Sequence, residues 1–356
     1  MRIAHLLWNL GIGGIETMLV DIVNRQVKMP EVEQVSIIVV NNTRQESIAC
    51  RLDPRIVVRW CKRKVGSRSI IPIARLNWFL LQQAPDIIHY HASEIRRMVF
   101  LRFPSVLTIH STGYSPSIGK AFDAKYAISK AVHEEWAKLG DPNTIVVQNG
   151  IPLEEITKKQ DYWERGKPFK IVQVSRIVLY HKGQDLLVRA AAALCPEVKK
   201  NINISFVGEG EDLTQLKKIV EESGLGDQVT FLGLKDRSWI YTHLIDYDLF
   251  VQPSLFEGFG LTVAEACAAG LPVLVSENEG PLEIIGNGKY GLTFKNKSVE
   301  DLTKKLDYII SEGYDEIIKV IDAARKNIYK HYDVSCTAKK YVEEYKKVLD
   351  NYGKNK

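Results

Sequence analysis

Four segments of the 356-residue sequence combine cations, carboxylates, glycines or histidine in patterns that suit an anionic, oxygen-rich ligand. In the first, an apolar run from Phe169 to Val174 is followed by Ser175-Arg176, and six residues after Arg176 comes Lys182-Gly183. Two such cations suit a diphosphate. Arg offers a bidentate fork, Lys a point charge, and charge-assisted hydrogen bonds contribute about 1.5–3 kcal/mol each. Two surface cations at a solvated helix start are the other reading. In the second, a run from Leu249 to Gln252 leads into Pro253-Ser254-Leu255-Phe256-Glu257-Gly258-Phe259-Gly260-Leu261-Thr262. Gly258 and Gly260 permit a tight turn whose amides, with those of the following helix start, can hold a phosphate. Glu257 then points a carboxylate at whatever that phosphate carries. Glu265 has a competing role, because Thr262-x-x-Glu265 is also a capping-box pattern.

The third segment is Gly11-Ile12-Gly13-Gly14-Ile15-Glu16, between the run Ile3 to Trp8 and a helical pattern from Thr17 to Val27. Amides at a helix start are left for an anion, but the dinucleotide fingerprint G-x-G-x-x-G fails at Glu16. The fourth is His110, which closes a strand and opens the loop Ser111-Thr112-Gly113. His89 and His91 also close a strand, and strand-end histidines are more often packed than catalytic. Asp246-Tyr247-Asp248 resembles a D-x-D metal pair but precedes its strand, so Asp248 reads as structural. The sequence contains no Ser-His-Asp spacing, H-E-x-x-H pattern or P-loop.

The elements that must carry these residues alternate between short β-rich runs and longer helical patterns, the signature of parallel sheets with crossover helices. Seven runs precede a polar stretch from Glu154 to Pro168, and six follow it. The fold class expected is α/β, two Rossmann-like doubly wound sheets, with a boundary near residue 165 and helical patterns at 299–310 and 335–349. Ligands of such folds bind beyond the strand ends, which is where the four segments lie. The Lys-, Asn- and Gly-rich terminus is expected to fray.

Composition narrows the class. With 45% hydrophobic and 26% charged residues the chain is an ordinary globular protein. A net charge of +5 is too small for duplex binding. Residues 1–165 hold 22 basic and 16 acidic side chains, and residues 166–356 hold 26 and 27. The excess lies in Arg55, Arg59, Lys62, Arg63, Lys64, Arg68 and Arg75, a cluster that suits acidic lipid or an anionic substrate, or reads as a solvated loop and helix. Five dispersed cysteines without a C-x-x-C pair suit a reducing cytosol and indicate neither a disulfide framework nor a zinc site. No run of 18 apolar residues occurs. A cytoplasmic protein, at most peripheral on the inner face of the plasma membrane, is expected.

Taken together these residues resemble the retaining glycosyltransferases of family four, the group-one class with the GT-B fold. The resemblance is carried by Gly13-Gly14-Ile15-Glu16, His110, Ile128-Ser129-Lys130, Asn149-Gly150-Ile151, Ser175-Arg176 with Lys182-Gly183, Val207-Gly208-Glu209-Gly210, and Glu257-x7-Glu265. Residues 13–19 are further similar to a branch that builds bacterial capsular and exopolysaccharides. Ser111, Gln148 and His181 depart from the usual pattern.

The resemblance implies a nucleotide-diphosphate sugar co-substrate, with no metal and no resident cofactor. It implies an acceptor-binding domain (1–165), a donor-binding domain (166–330) and a terminal helix (331–356) packed back on the first. Arg176 and Lys182, with the Gly258, Phe259, Gly260 and Leu261 backbone, would neutralise the diphosphate. Glu265 would bind the ribose, Glu257 the donor sugar, and the backbone near Gly233 and Leu234 the base. Gly13 and Gly14 would admit the donor phosphate and acceptor, and His110 would hydrogen-bond the transferred sugar. The partners implied are the nucleotide-sugar donor and a glycan or lipid-linked acceptor, with no nucleic acid. Two rival readings are an NAD-dependent oxidoreductase with two Rossmann-like halves and a non-catalytic GT-B scaffold.

Overall fold

All thirteen apolar runs become strands. Most are buried along nearly their whole length, as in β2 (Gln34–Asn41), because helices cover both faces of a parallel sheet and leave no polar side to alternate with. The computed structural model describes residues 1–354 apart from Ile12, Arg44 and residues 112–115, so Thr112-Gly113 of the loop after His110 lies outside the described residues. The chain divides into two compact units, Met1–Pro152 with Tyr332–Lys356, and Leu153–His331.

The first unit holds β1 (Arg2–Leu7), β2, β3 (Val57–Arg63), β4 (Ile87–Tyr90), β5 (Ser105–Ile109), β6 (Ala124–Ala127) and β7 (Ile145–Val146). They form one parallel sheet in the order β3-β2-β1-β4-β5-β6-β7. The second holds β8 (Phe169–Val174), β9 (Ile202–Val207), β10 (Val229–Gly233), β11 (Leu249–Gln252), β12 (Val273–Ser276) and β13 (Leu292–Phe294), parallel in the order β10-β9-β8-β11-β12-β13. Strand order reverses between β1 and β4 and between β8 and β11. Those are the switch points where a doubly wound sheet opens a crevice at its carboxyl edge.

The polar segment after Pro152 is packed rather than a free linker. Lys159 is buried, its amide donates to Ala269 O (2.7 Å) and its Nζ to Ile245 O (2.7 Å), while Trp163 meets Phe169 and Tyr314 edge-on. Backbone pairing and the apolar stem of a lysine tie it to the second unit, so the units divide after Pro152 where composition alone placed a boundary near 165. Asp248 accepts from the Lys170 amide (2.9 Å) and lies 3.9 Å from Lys159 Nζ, a structural role at the strand start.

Helix Val334–Lys354 belongs to the first unit and continues to Lys354, where fraying was expected. Buried residues at 334, 337, 338, 341, 342, 345 and 348 form one helical stripe against helix Gly14–Gln26. Tyr341 and Tyr345 each bury a ring worth about 1.5–3 kcal/mol. Their hydroxyls reach Thr108 Oγ1 (3.0 Å) and His89 Nδ1 (2.5 Å). Where the chain returns, Ile151 N donates to Tyr332 O (2.8 Å) and Val334 N to Ile151 O (3.1 Å). A Cβ on Gly150 would lie 2.6 Å from the Asp333 backbone, so only glycine allows this approach.

Candidate active site

In the second unit the loop after β8 is held by two buried glutamines. Gln173 Nε2 donates to Lys182 O (2.9 Å), and Gln184 Nε2 donates to Ser175 Oγ (3.0 Å) and Arg176 O (2.9 Å). Gly183 takes φ +61° between two helical segments, and a Cβ there would strike the Pro253 carbonyl. That contact, with Leu255 N donating to His181 O (2.8 Å), brings the β8 loop against the β11 loop. Lys182 Nζ consequently lies 2.6 Å from Glu257 Oε2, which also accepts from Gln252 Nε2 (3.1 Å). Both side chains are mostly buried, so this ion pair is screened little by solvent. Arg176 instead extends outward, 69% exposed, with Glu211 3.7 Å away. Such an exposed pair holds its cation weakly.

Gly258, Phe259 and Gly260 are buried in the turn, and Gly260 at φ +99° is the N-cap of helix Leu261–Ala269. The first amides of that helix lack intrahelical partners and point toward the turn. Glu265 lies inside the helix, whose N-cap is Gly260 and not Thr262, which removes the capping-box reading. Its Oε1 accepts from Arg237 Nη2 (2.6 Å) and Nε (3.2 Å), with Tyr241 Oη at 3.5 Å. Arg237 escaped the sequence reading. The signal available was a cation at the first position of helix Arg237–His243, where the macrodipole disfavours it and a tertiary partner is needed.

In the first unit a pocket of about 360 Å³ opens at the β1/β4 switch point. His110, His91, Asn9, Glu16 and Glu94 are among its polar groups, and Leu7, Ile109 and Trp136 are among its apolar ones. Gly13 is the N-cap of helix Gly14–Gln26, and a Cβ there would strike Glu16 Oε2, so the Glu16 carboxylate folds over Gly13. Burial raises its pKa. For Gly13 and Gly14 to meet a phosphate, the Glu16 side chain has to swing away. Burial lowers the His110 pKa to about 3, so the imidazole is neutral. His89 and His91 are packed as expected, but they and His5 form a contiguous group with His110 that was not foreseen. Its signal was a period of two: 89 and 91 share one face of a strand, and His5 is in register with His89.

Thus Lys182, Glu257 and the Gly258–Leu261 turn come together, Arg176 shares their loop but points outward, and Glu265 is held by Arg237. His110, Gly13 and Gly14 lie in the first unit. Residues 154–331 match the family of glycosyl transferases group 1, and residues 12–155 match glycosyltransferase family 4. An uncharacterized glycosyltransferase of Methanocaldococcus jannaschii is 27% identical over 285 residues, 76% of this chain and 71% of that protein. The N,N'-diacetylbacillosaminyl-diphospho-undecaprenol alpha-1,3-N-acetylgalactosaminyltransferase of Campylobacter jejuni is 32% identical over 201 residues, 55% of this chain and 50% of that enzyme. Among solved structures, Anabaena HepE in complex with UDP and glucose superposes with a TM-score of 0.82 at 18% identity, covering 98% of this chain and 100% of that one. WaaG, a glycosyltransferase involved in lipopolysaccharide biosynthesis, gives 0.74 at 15% identity, covering 95% and 98%. With half of the chain matched by one of these families and most of the rest by the other, on two parallel-sheet units, the chain belongs to the group 1 glycosyltransferases and has the GT-B fold.

Proposed function

We propose that this glycosyltransferase moves a sugar from a nucleotide-diphosphate sugar to a glycan or lipid-linked acceptor in polysaccharide biosynthesis, with retention of anomeric configuration. The observation that carries the reading is the Lys182–Glu257 pair at the β8/β11 switch point, beside a glycine-capped helix start. Lys182, Arg176 and the amides of Gly260 and Leu261 supply the positive potential that a leaving diphosphate needs, the part a divalent ion plays elsewhere. Glu257 accepts from donor-sugar hydroxyls and orients the anomeric carbon, and Glu265, steadied by Arg237, accepts from the ribose. The acceptor hydroxyl attacks from the leaving-group face. As its oxygen bonds to the anomeric carbon, the bond to the diphosphate oxygen breaks and the proton passes to a diphosphate oxygen, so no protein base is required. HepE with bound UDP and the Campylobacter enzyme, whose name includes a lipid-diphosphate acceptor, are the relatives that favour this donor and acceptor.

The measurement that tests it is a thermal-shift panel with UDP, GDP, ADP and NAD, each with and without EDTA. One nucleoside diphosphate should stabilise the wild type regardless of EDTA and lose most of that effect in Arg176→Ala. Stabilisation by NAD alone would overturn the assignment.

A lipid-linked acceptor places the enzyme at the inner face of the plasma membrane, and one surface of the first unit suits that. Ile71, Trp78 and Leu81 lie on one exposed face of helix Ile71–Gln83, near exposed Val65, Ile70 and Phe100. Lys62 is exposed near the end of β3, and Lys64 and Arg68 are exposed on the loop that follows it. Others of the basic cluster are engaged within the protein: Arg55 pairs with Asp53 (2.8 Å) and Arg63 lies over the Trp8 ring. Apolar side chains rimmed by cations suit an anionic bilayer surface. Flotation with vesicles containing acidic phospholipid should carry the protein up, and Trp78→Ser with Leu81→Ser should abolish this. Equal flotation with purely zwitterionic vesicles would count against it.

A further inference from the structure

Three imidazoles link the pocket to helix Gly14–Gln26. Gln26 Oε1, on helix Gly14–Gln26, lies 2.9 Å from His5 Nε2. His5 Nδ1 lies 3.0 Å from His91 Nε2, and His91 Nδ1 lies 3.1 Å from His110 Nε2. His5 is fully buried and His91 nearly so. Burial lowers the pKa of His5 to about 4, takes His91 well below its ordinary range and lowers His110 to about 3, so all three rings are neutral near pH 7.

A neutral imidazole carries one N–H and one lone pair. A row of them therefore has a direction, and the group at its end chooses it. Gln26 Oε1 carries no proton, so His5 Nε2–H donates to it and His5 Nδ1 must accept. His91 Nε2–H then donates to His5, His91 Nδ1 accepts, and His110 Nε2–H donates to His91. The 2.9 Å contact sets Gln26 Oε1, and not Nε2, against His5, and Nε2 has no hydrogen-bond partner among the described residues. Tyr345 Oη, 2.5 Å from His89 Nδ1, can pass its own proton to that ring.

We propose that Gln26, His5 and His91 are positioning residues that hold His110 in the Nε2–H tautomer, so that His110 presents the Nδ1 lone pair to the pocket and selects a ligand carrying a hydroxyl donor there. The hydroxyl is that of the transferred sugar, a clause that rests on the function proposed above. An ether, a deoxy carbon or a carbonyl oxygen at the same position meets a lone pair with nothing to offer it, and a site built for a hydroxyl rejects analogues lacking one.

Nitrogen-15 long-range correlation spectra of histidine-labelled protein near pH 7 test this without a substrate. Signals of His110 are assigned with His110→Gln. In the wild type His110 should show a protonated Nε2 and an unprotonated Nδ1, and Gln26→Leu should move part of its Nδ1 signal into the protonated range. Gln26→Glu, which keeps an acceptor oxygen, should restore the wild-type pattern. A protonated Nδ1 in the wild type, or tautomers indifferent to Gln26→Leu in a protein that still folds by circular dichroism, would overturn the proposal. If Gln26→Leu does not fold, the wild-type spectrum alone decides. The ligating atoms of His5, His89 and His91 also lie within 4.8 Å of one another. Elemental analysis of the purified protein should therefore find less than stoichiometric zinc, and an equimolar metal would overturn the chain of hydrogen bonds. Failure of the nucleotide thermal shifts would leave these spectra unchanged, so the two readings fall separately.

Discussion

Lowering the pH from 6.5 to about 4 should cost the protein on the order of 3 kcal/mol of stability, with little change above pH 7. The histidine group sets this window. Above pH 6.5 the imidazoles are neutral in both the folded and unfolded chain and favour neither. Below it the unfolded chain takes up protons that the buried rings refuse, so stability falls until the folded pKa is reached. For His5, whose pKa drops from 6.5 to about 4, that difference is worth about 3 kcal/mol. His89 and His91 are lowered by burial first and then by neighbouring imidazoles, His5 and His110 for His89, and His89, His110 and His5 for His91, and both act in the same direction. Two buried carboxyls oppose it: Glu16 and Asp248 are raised by desolvation, and their protonation in the folded state favours folding as pH falls. Urea unfolding followed by tryptophan fluorescence at pH 7.5, 6.5, 5.5 and 4.5 measures the effect. A flat profile down to 4.5 would mean that the rings take up protons without unfolding.

Glu257→Gln should lower turnover on the order of 10²-fold while leaving nucleoside-diphosphate affinity equal to or tighter than in the wild type. The asymmetry follows from the 2.6 Å contact between Glu257 Oε2 and Lys182 Nζ. With the carboxylate neutralised, Lys182 has the diphosphate as its remaining partner, so ground-state binding does not suffer. The sugar loses its charged acceptor, and the anomeric carbon its alignment. Lys182→Met should do the reverse first, weakening the nucleoside diphosphate. Calorimetric titration with the nucleotide and initial rates with labelled donor separate the two. Parallel losses of affinity and turnover in both variants would contradict the division of labour.

Both sheets were readable because parallel strands buried on two faces leave unbroken apolar runs, and helices of this length cannot be mistaken for them. The Lys182 and Glu257 loops were readable because each carries a glycine needed at positive φ, Gly183 where the two loops approach and Gly260 at the helix start. The partner of Glu265 was not, since Arg237 comes from a separate helix 28 residues away and only the tertiary fold makes them neighbours. Nor was the environment of His110. A histidine in mid-strand, such as His5, carries no mark of the face it occupies until the strand order places β1 beside β4. The packed segment after Pro152 misled for the opposite reason. Its residues are polar, and what holds them is main-chain hydrogen bonding, which composition does not record.

The first unit is discontinuous, and this bears on its synthesis. A ribosome delivers residues 1–152, then the whole of the second unit, and only then the segment that contributes Tyr341 and Tyr345 to the first core. Until that segment emerges, His89 and Thr108 lack their phenolic partners and the stripe on helix Gly14–Gln26 that meets Val334–Lys354 is bare. The second unit, being continuous, can close as soon as its own chain is out. The order of completion in a growing chain is therefore the reverse of the order in sequence, with the nascent first sheet waiting, apolar surface uncovered, for about two hundred residues of translation.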